Sequence, residues 1–177
     1  MKKILLSIAC LMLLLTVTAC GTTTDSRDED GNPTRDFRVG QTATINDINI
    51  IINSVTRVEY ECAFESRGEC QRYNEPDNDF FLVLDITITN NSDNDLLVAA
   101  SLDFSFRNQE GETARMPLSL NAITSRLGGT VLPGDPLRGQ IAFDVVDSEG
   151  FIMLYRPNLL DDPIRFEITA DDIQLPE

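Results

Sequence analysis

Apolar and polar side chains alternate with a period of two in five separate runs of this chain. Ile48, Ile50 and Ile52 alternate with Asn49 and Asn53, with Ile51 breaking the polar face. Leu82, Leu84, Ile86 and Ile88 line one face of a second run, opposite Asp85, Thr87 and Thr89. Leu102, Phe104 and Phe106 alternate with Asp103, Ser105 and Arg107; Ile141, Phe143 and Val145 alternate with Gln140 and Asp144; Ile164, Phe166 and Ile168 alternate with Arg165, Glu167 and Thr169. Successive side chains of a strand point to opposite faces, so each run predicts a half-buried strand with one face on a core. Turn-forming clusters separate the runs: Asn90 to Asp95, Gln109-Glu110-Gly111, Leu132-Pro133-Gly134-Asp135-Pro136 and Asp147-Ser148-Glu149-Gly150. About seven to nine short strands at this spacing predict an all-β, immunoglobulin-like two-sheet antiparallel β-sandwich. The stretch Ser119–Leu127 reads as a loop with one helical turn.

The first residues obey a different rule. Lys2 and Lys3 precede an apolar run from Ile4 to Val17, broken only by Ser7 and Thr16. A positive start and an apolar run of about 14 residues fit an export signal, and fall short of the roughly 20 needed to span a bilayer. The run ends in Val17-Thr18-Ala19-Cys20-Gly21, which resembles the lipobox of bacterial lipoproteins. That resemblance implies a signal peptide over 1–19 and acyl chains on Cys20, the new N-terminus. Residues 20–37 then read as an acidic tether, with no apolar periodicity, ahead of a domain over 38–177. Two or three acyl chains would hold the domain at the membrane, where one would not.

Removing the signal changes the charge picture. It takes away both lysines and Cys10, leaving 12 arginines against 29 acidic residues, a net charge of −17, with no histidine or tryptophan. Such a chain repels phosphate backbones, which argues against nucleic acid as a partner. It also repels an anionic membrane surface, so the anchor at Cys20 is the expected membrane attachment.

Phe80 through Ser92 (Phe-Phe-Leu-Val-Leu-Asp-Ile-Thr-Ile-Thr-Asn-Asn-Ser) resembles the strand-then-NNS signature of a bacterial domain of unknown function, sometimes labelled telomeric repeat-binding factor 2. The likeness continues through Ser101-Leu102-Asp103-Phe104, Leu132-Pro133-Gly134, Arg138 to Val145 and Leu154-Tyr155-Arg156-Pro157, covering about residues 38–169. Members are often lipoproteins, similar in fold to the immunoglobulin-like mycobacterial secreted immunoprotective antigen. The resemblance implies architecture only. It supplies no catalytic residues, the Cys-Trp-Cys core of antibody domains is missing, and the charge opposes a telomeric role.

Three further features bear on chemistry. Cys62 and Cys70 are the thiols left in the exported chain once Cys20 is acylated, and in an oxidising compartment they read as a disulfide closing a nine-residue loop, worth about 2.5 kcal/mol. Glu75, Asp77 and Asp79, within the acidic loop 74–79, are weak candidates for calcium, which needs six to eight oxygens; a solvated acidic loop is the plainer reading. Asn90-Asn91-Ser92 matches a glycosylation acceptor in form, but reads as turn chemistry, since asparagine tolerates positive φ.

Histidine, lysine and a free thiol are all lacking for general-base, Schiff-base or thiolate chemistry, and no cofactor motif appears. The expected function is therefore a non-catalytic interaction module, meeting an envelope or extracellular protein through the loop at 62–79, with Phe64, Arg67, Arg72 and Tyr73 as contact candidates. The alternative is a small carboxylate-based enzyme or calcium-dependent sensor, which a concave pocket with convergent acids would favour.

Overall fold

The computed structural model describes residues 36–59, 75–118, 120–158, 160 and 162–175, together with the backbone of 62–66 and 69–72. The alternation read from the sequence becomes two sheets, with strands numbered along the chain. One sheet orders β1 (Asp36–Arg38), β12 (Ile164–Thr169), β11 (Gly150–Tyr155) and β8 (Phe104–Asn108). The other orders β10 (Pro136–Val145), β6 (Phe80–Asn90), β3 (Ile48–Val58) and β13 (Ile173–Gln174), with β2 (Thr42–Ile45) also against β3. Two small ribbons stand apart: β4 (Cys62–Ser66) with β5 (Glu69–Arg72), and β7 (Leu96–Val98) with β9 (Gly129–Val131).

The inward faces divide the core by shape. Much of the second sheet's share is aliphatic: Ile50, Ile52, Val55, Leu82, Leu84, Ile86, Ile88 and Ile141. The first sheet brings most of the rings, with Phe37, Phe104, Phe106, Phe151, Tyr155 and Phe166. Phe106 bridges the sheets by stacking on Phe143 at 4.6 Å and lies 5.6 Å from Phe151. Burying such a side chain fully is worth about 1.5–3 kcal/mol. A stack of phenylalanines thus fills the interior of a sandwich that has no tryptophan.

The sequence of β3 looks irregular because it carries a bulge. Its register with β6 shifts between Ile52 and Ser54, so Ile48, Ile50 and Ile52 face inward and the next buried position is Val55. Asn53 takes up the extra residue and donates to Asp85 Oδ1 at 2.8 Å and Thr87 Oγ1 at 2.9 Å. Asn46 and Asp47, both at positive φ, make the two-residue turn joining β2 to β3, which suits the twist of paired strands.

The sandwich read from the sequence stands, with two local corrections, at Leu102 and over 119–127, and some detail that alternation does not carry. Within the antiparallel sandwich two short edge pairings run parallel, β1 with β12 and β13 with β3. The chain crosses from β12 to β13 without reversing, through a turn at Ala170–Asp172 in which Asp172 Oδ2 accepts from Thr169 N–H at 2.8 Å and Oγ1 at 2.7 Å. Phe37, just ahead of the expected domain start, is buried and lies 5.7 Å from Phe166. Leu102 does not share the face of Phe104 and Phe106; Ala100–Asp103 form a helical turn that leaves it 75% exposed. No described residue of 119–127 is helical.

The connection after β8, to which these residues belong, covers sheet edges instead. Ala114 N–H donates to Phe106 O at 2.9 Å on the β8 edge. Asp144 N–H donates to Arg115 O at 2.8 Å, and Leu127 N–H to Gln140 O at 3.0 Å, on the β10 edge. One connection therefore covers an edge of each sheet, removing templates for unwanted strand pairing. Its Leu120, with Ala122 and Ile123, packs on Phe81, Val83 and Ala142 of the outer face. Gly139 is needed where it passes: a Cβ there would lie 2.6 Å from Leu127 Cα.

The sandwich has two unlike poles, roughly 20–35 Å apart at about 3.3 Å per residue. At the entry pole β1 begins beside the start of β12, the end of β11 and the start of β8. The β7 ribbon and the helical turn lead from Asn90 to that same end. The other pole holds the ends of β3 and β10 and the start of β6, and between β3 and β6 the chain forms the β4–β5 arm.

Candidate functional site

Asn90 organises the entry pole. It is fully buried, and its Nδ2 donates to Asn94 O at 2.7 Å and Val131 O at 2.9 Å. Its Oδ1 accepts from Ser92 N–H at 3.1 Å and Ser92 Oγ at 2.7 Å. Gly134 N–H donates to Asn90 O at 2.6 Å, and Asp135 N–H closes the Leu132-Pro133-Gly134-Asp135 turn onto Leu132 O at 3.0 Å. Gly134, at φ 84°, supplies the positive φ that such a turn demands after proline. The NNS and LPG segments are thus two halves of one bracket. The turn reading of Asn90 holds for a different reason from the one expected: its side chain, not a positive φ, does the work, and burial withdraws it from any glycosylating enzyme.

Asp144 has the corresponding place at the arm pole. It sits next to last in β10 and is 5% exposed. Its Oδ2 accepts from Asp77 N–H at 2.9 Å and its Oδ1 from Asn78 N–H at 3.1 Å. Asp79 N–H donates to Val145 O at 3.1 Å, and Asp79 Oδ2 accepts from Asp147 N–H at 2.8 Å. These bonds lash the segment after the arm to the end of β10. Arg57 caps the core nearby, its guanidinium carbon 3.9 Å from the centre of the Phe80 ring.

Two depressions border Asp144 and together make up a trough. On one side is an open groove of about 410 Å³, with Phe81, Met116, Pro117 and Leu118 as apolar lining and Glu75, Asp77, Arg115 and Asp144 as charged lining. On the other is a smaller, more polar depression of about 210 Å³ that includes Asn78, Asn108, Glu112 and Thr113. Asp77 is ion-paired with Arg115. Leu118 is 97% exposed, yet its carbonyl accepts from Arg126 Nη2 at 2.6 Å, so the backbone presenting it is tied down.

The residues named from sequence fall unevenly around this trough. Glu75 and Asp77 line it, but Asp77 and Asp79 turn to different partners, and no group of three or more Asp, Glu, Cys or His among the described residues could hold a metal ion. Cys62 and Cys70 lie on the paired arm strands, with Cys62 opposite Arg72 and Cys70 opposite Glu65. Their side chains, and those of Phe64 and Arg72, lie outside the described residues, as do Arg67, Tyr73 and Cys20. Asp144, Arg115, Met116 and Leu118 were not anticipated. In sequence Asp144 is one more polar position in an alternating strand, and only the pairing of distant segments reveals it as a bracket. Both oxygens of Asp144 accept backbone N–H groups and Asp77 is ion-paired with Arg115, so both hold the loop in place. No helix among the described residues is long and apolar enough to cross a membrane.

This is the fold of a β-sandwich module with one edge of each sheet covered and a grooved pole. Over residues 37–164 the chain belongs to the DUF4352 family, a domain of unknown function. Its fold is similar to that of the yjhA protein of Bacillus subtilis, with a TM-score of 0.56 and 18% identity, covering 75% of this chain and 98% of that one. A candidate lipoprotein of the same organism, ycdA, is similar over 74% of this chain and 39% of its own, with a TM-score of 0.55 and 16% identity. The secreted protein MPT63 of Mycobacterium tuberculosis is similar over 76% of this chain and 96% of its own, with a TM-score of 0.50 and 16% identity. No curated protein matches the sequence. No reaction is attached to the family or to these structures.

Proposed function

We propose that this chain is a lipid-anchored protein of the bacterial envelope whose sandwich acts as a non-catalytic interaction module. The observation that carries the reading is the opposition of the poles: the chain enters the sandwich at Asp36, while the β4–β5 arm stands at the far end. An anchor at Cys20 followed by a tether would place the arm and its trough outward, away from the lipid. A tether of this length reaches roughly 20–25 Å and more if its charges repel. The likeness to a candidate lipoprotein and to a secreted protein supports the extracytoplasmic address. A Cys62–Cys70 bridge belongs to the same reading; the two positions are diagonal on the paired strands, so closing it would draw the strands off this register and stiffen the arm.

Metabolic labelling with an alkyne-bearing palmitate tests the anchor: the wild type takes up label and Cys20→Ala does not. A photo-crosslinking residue placed in the arm, at position 67, captures an envelope protein, while one at Leu160 of the entry pole captures none. Unlabelled wild type would remove the anchor, and capture from position 160 alone would reverse the orientation.

A further inference from the structure

We propose that the trough beside Asp144 receives an extended basic segment of a partner protein, one aliphatic side chain lying against Met116, Pro117 and Leu118 and a flanking cation beside Glu75 and Asp77. The inference rests on the interaction-module reading and names the partner's chemistry. Shape gives the first argument. The larger groove, about 410 Å³ with mixed apolar and charged lining, is open rather than closed like a small-molecule cavity, and a second, more polar depression shares Asp144 with it. An extended chain, with side chains alternating in direction, fits such a floor. Charge gives the second. The described lining of the larger groove carries Glu75, Asp77 and Asp144 against Arg115, with Arg126 bonded to the Leu118 carbonyl at its end, and Glu112 borders the second depression. The exported chain as a whole carries −17, so a basic segment is drawn in and an acidic one is turned away.

Leu118 makes the aliphatic part of the claim specific. A leucine that is 97% exposed contributes nothing to the core, while Arg126 holds its carbonyl and fixes where it stands. Covering it with a partner's aliphatic group removes apolar surface on both sides, worth about tenfold in affinity at some 1.4 kcal/mol. Asp77 and Arg115 already form an ion pair at the rim, so an incoming arginine or lysine joins a charge network rather than an isolated carboxylate.

The test uses the full chain with zwitterionic lipid nanodiscs, empty nanodiscs serving to subtract binding to lipid. A fluorescein-labelled decapeptide with one leucine between an arginine and a lysine is titrated by fluorescence anisotropy. Saturable binding is expected, weakening about tenfold when the peptide leucine becomes serine and by a similar factor in Leu118→Ser, whose exposed position leaves the fold intact. Asp93→Asn, at the other pole, removes the same charge as Asp77→Asn but leaves affinity unchanged, whereas Asp77→Asn lowers it. Equal binding of the leucine and serine peptides, full affinity in Leu118→Ser, equal losses in Asp93→Asn and Asp77→Asn, or no binding at millimolar peptide would each overturn the proposal. Palmitate labelling reports on the anchor separately, so failure of the trough and failure of the anchor are distinct results.

Discussion

Asn90 and Asp144 are both buried polar residues at the ends of long strands, one at each pole, and they hold the chain in different ways. The amide of Asn90 donates and accepts, so it ties together the Ser92–Asn94 turn and the strand ending at Val131. The carboxylate of Asp144 can only accept, and it gathers the backbone N–H groups of Asp77 and Asn78. The neutral bracket joins two halves of the fold and belongs to its frame. The charged one fastens a single loop beside a groove. Buried polar groups at matching positions therefore separate into one that sets the architecture and one that positions a surface.

Substitution tests that separation directly. Asn90→Ala strips partners from several buried groups at once and should cost about 3–4 kcal/mol in urea unfolding. Asp144→Asn keeps the size and an acceptor oxygen, and should cost about 1–2 kcal/mol, with amide exchange speeding up at Asp77 and Asn78 and unchanged in β6. If the second variant lost as much stability as the first, or loosened the whole sheet, the contrast between frame and loop would fail.

Tyr155 sharpens the point from the opposite side. Its hydroxyl is buried without a hydrogen-bond partner among the described residues, and burial, aided by the charge of Asp103, holds its pKa well above the usual 10. Tyr155→Phe should therefore leave stability unchanged or raise it by up to about 1 kcal/mol, in contrast to the loss at Asn90.

The smallest effects concern two aspartates of opposite sign. Burial pushes the Asp85 carboxyl up, but hydrogen bonds from Arg138 and Asn53 and the charge of Arg138 outweigh it and hold the pKa below 3.8. Its contribution is present above the unfolded value of about 3.9 and is lost as pH falls through the lower folded value. Burial raises the Asp103 carboxyl, only partly offset by the Ala99 N–H bond. Its penalty stands at neutral pH and disappears on acidification below about 3.9. Asp85→Asn should weaken and Asp103→Asn strengthen the fold at pH 7; in urea titrations the Asp103 difference fades once pH is below about 3.9, and the Asp85 difference fades only at lower pH than that.

How much of this was legible in the sequence depended on the range of the interactions. The faces of β6, β10 and β12 follow from alternation alone, because burial of one face is a local requirement repeated every second residue. The bulge at Asn53 was visible only as a slipped pattern, Ile52 to Val55. Leu102 was misplaced because a helical turn of four residues is too short to leave a periodic trace. Phe81 and Val83 lie on the outer face, covered by Leu120 and Ile123, and no local signal announces that a distant connection will cross there. The trough escaped notice for the same reason: Asp77, Leu118 and Asp144 belong to three segments that only tertiary pairing assembles.

The parallel pairing of β1 with β12 also determines how the domain bears tension. Traction on the polypeptide ahead of Asp36 is directed along the axis of β1, so the rungs to β12 are strained in shear and must give way together. An antiparallel hairpin peeled from its open end would release its rungs one after another. A module grasped at its outer pole and tugged from its stem would on this geometry resist like a bolt rather than a zip.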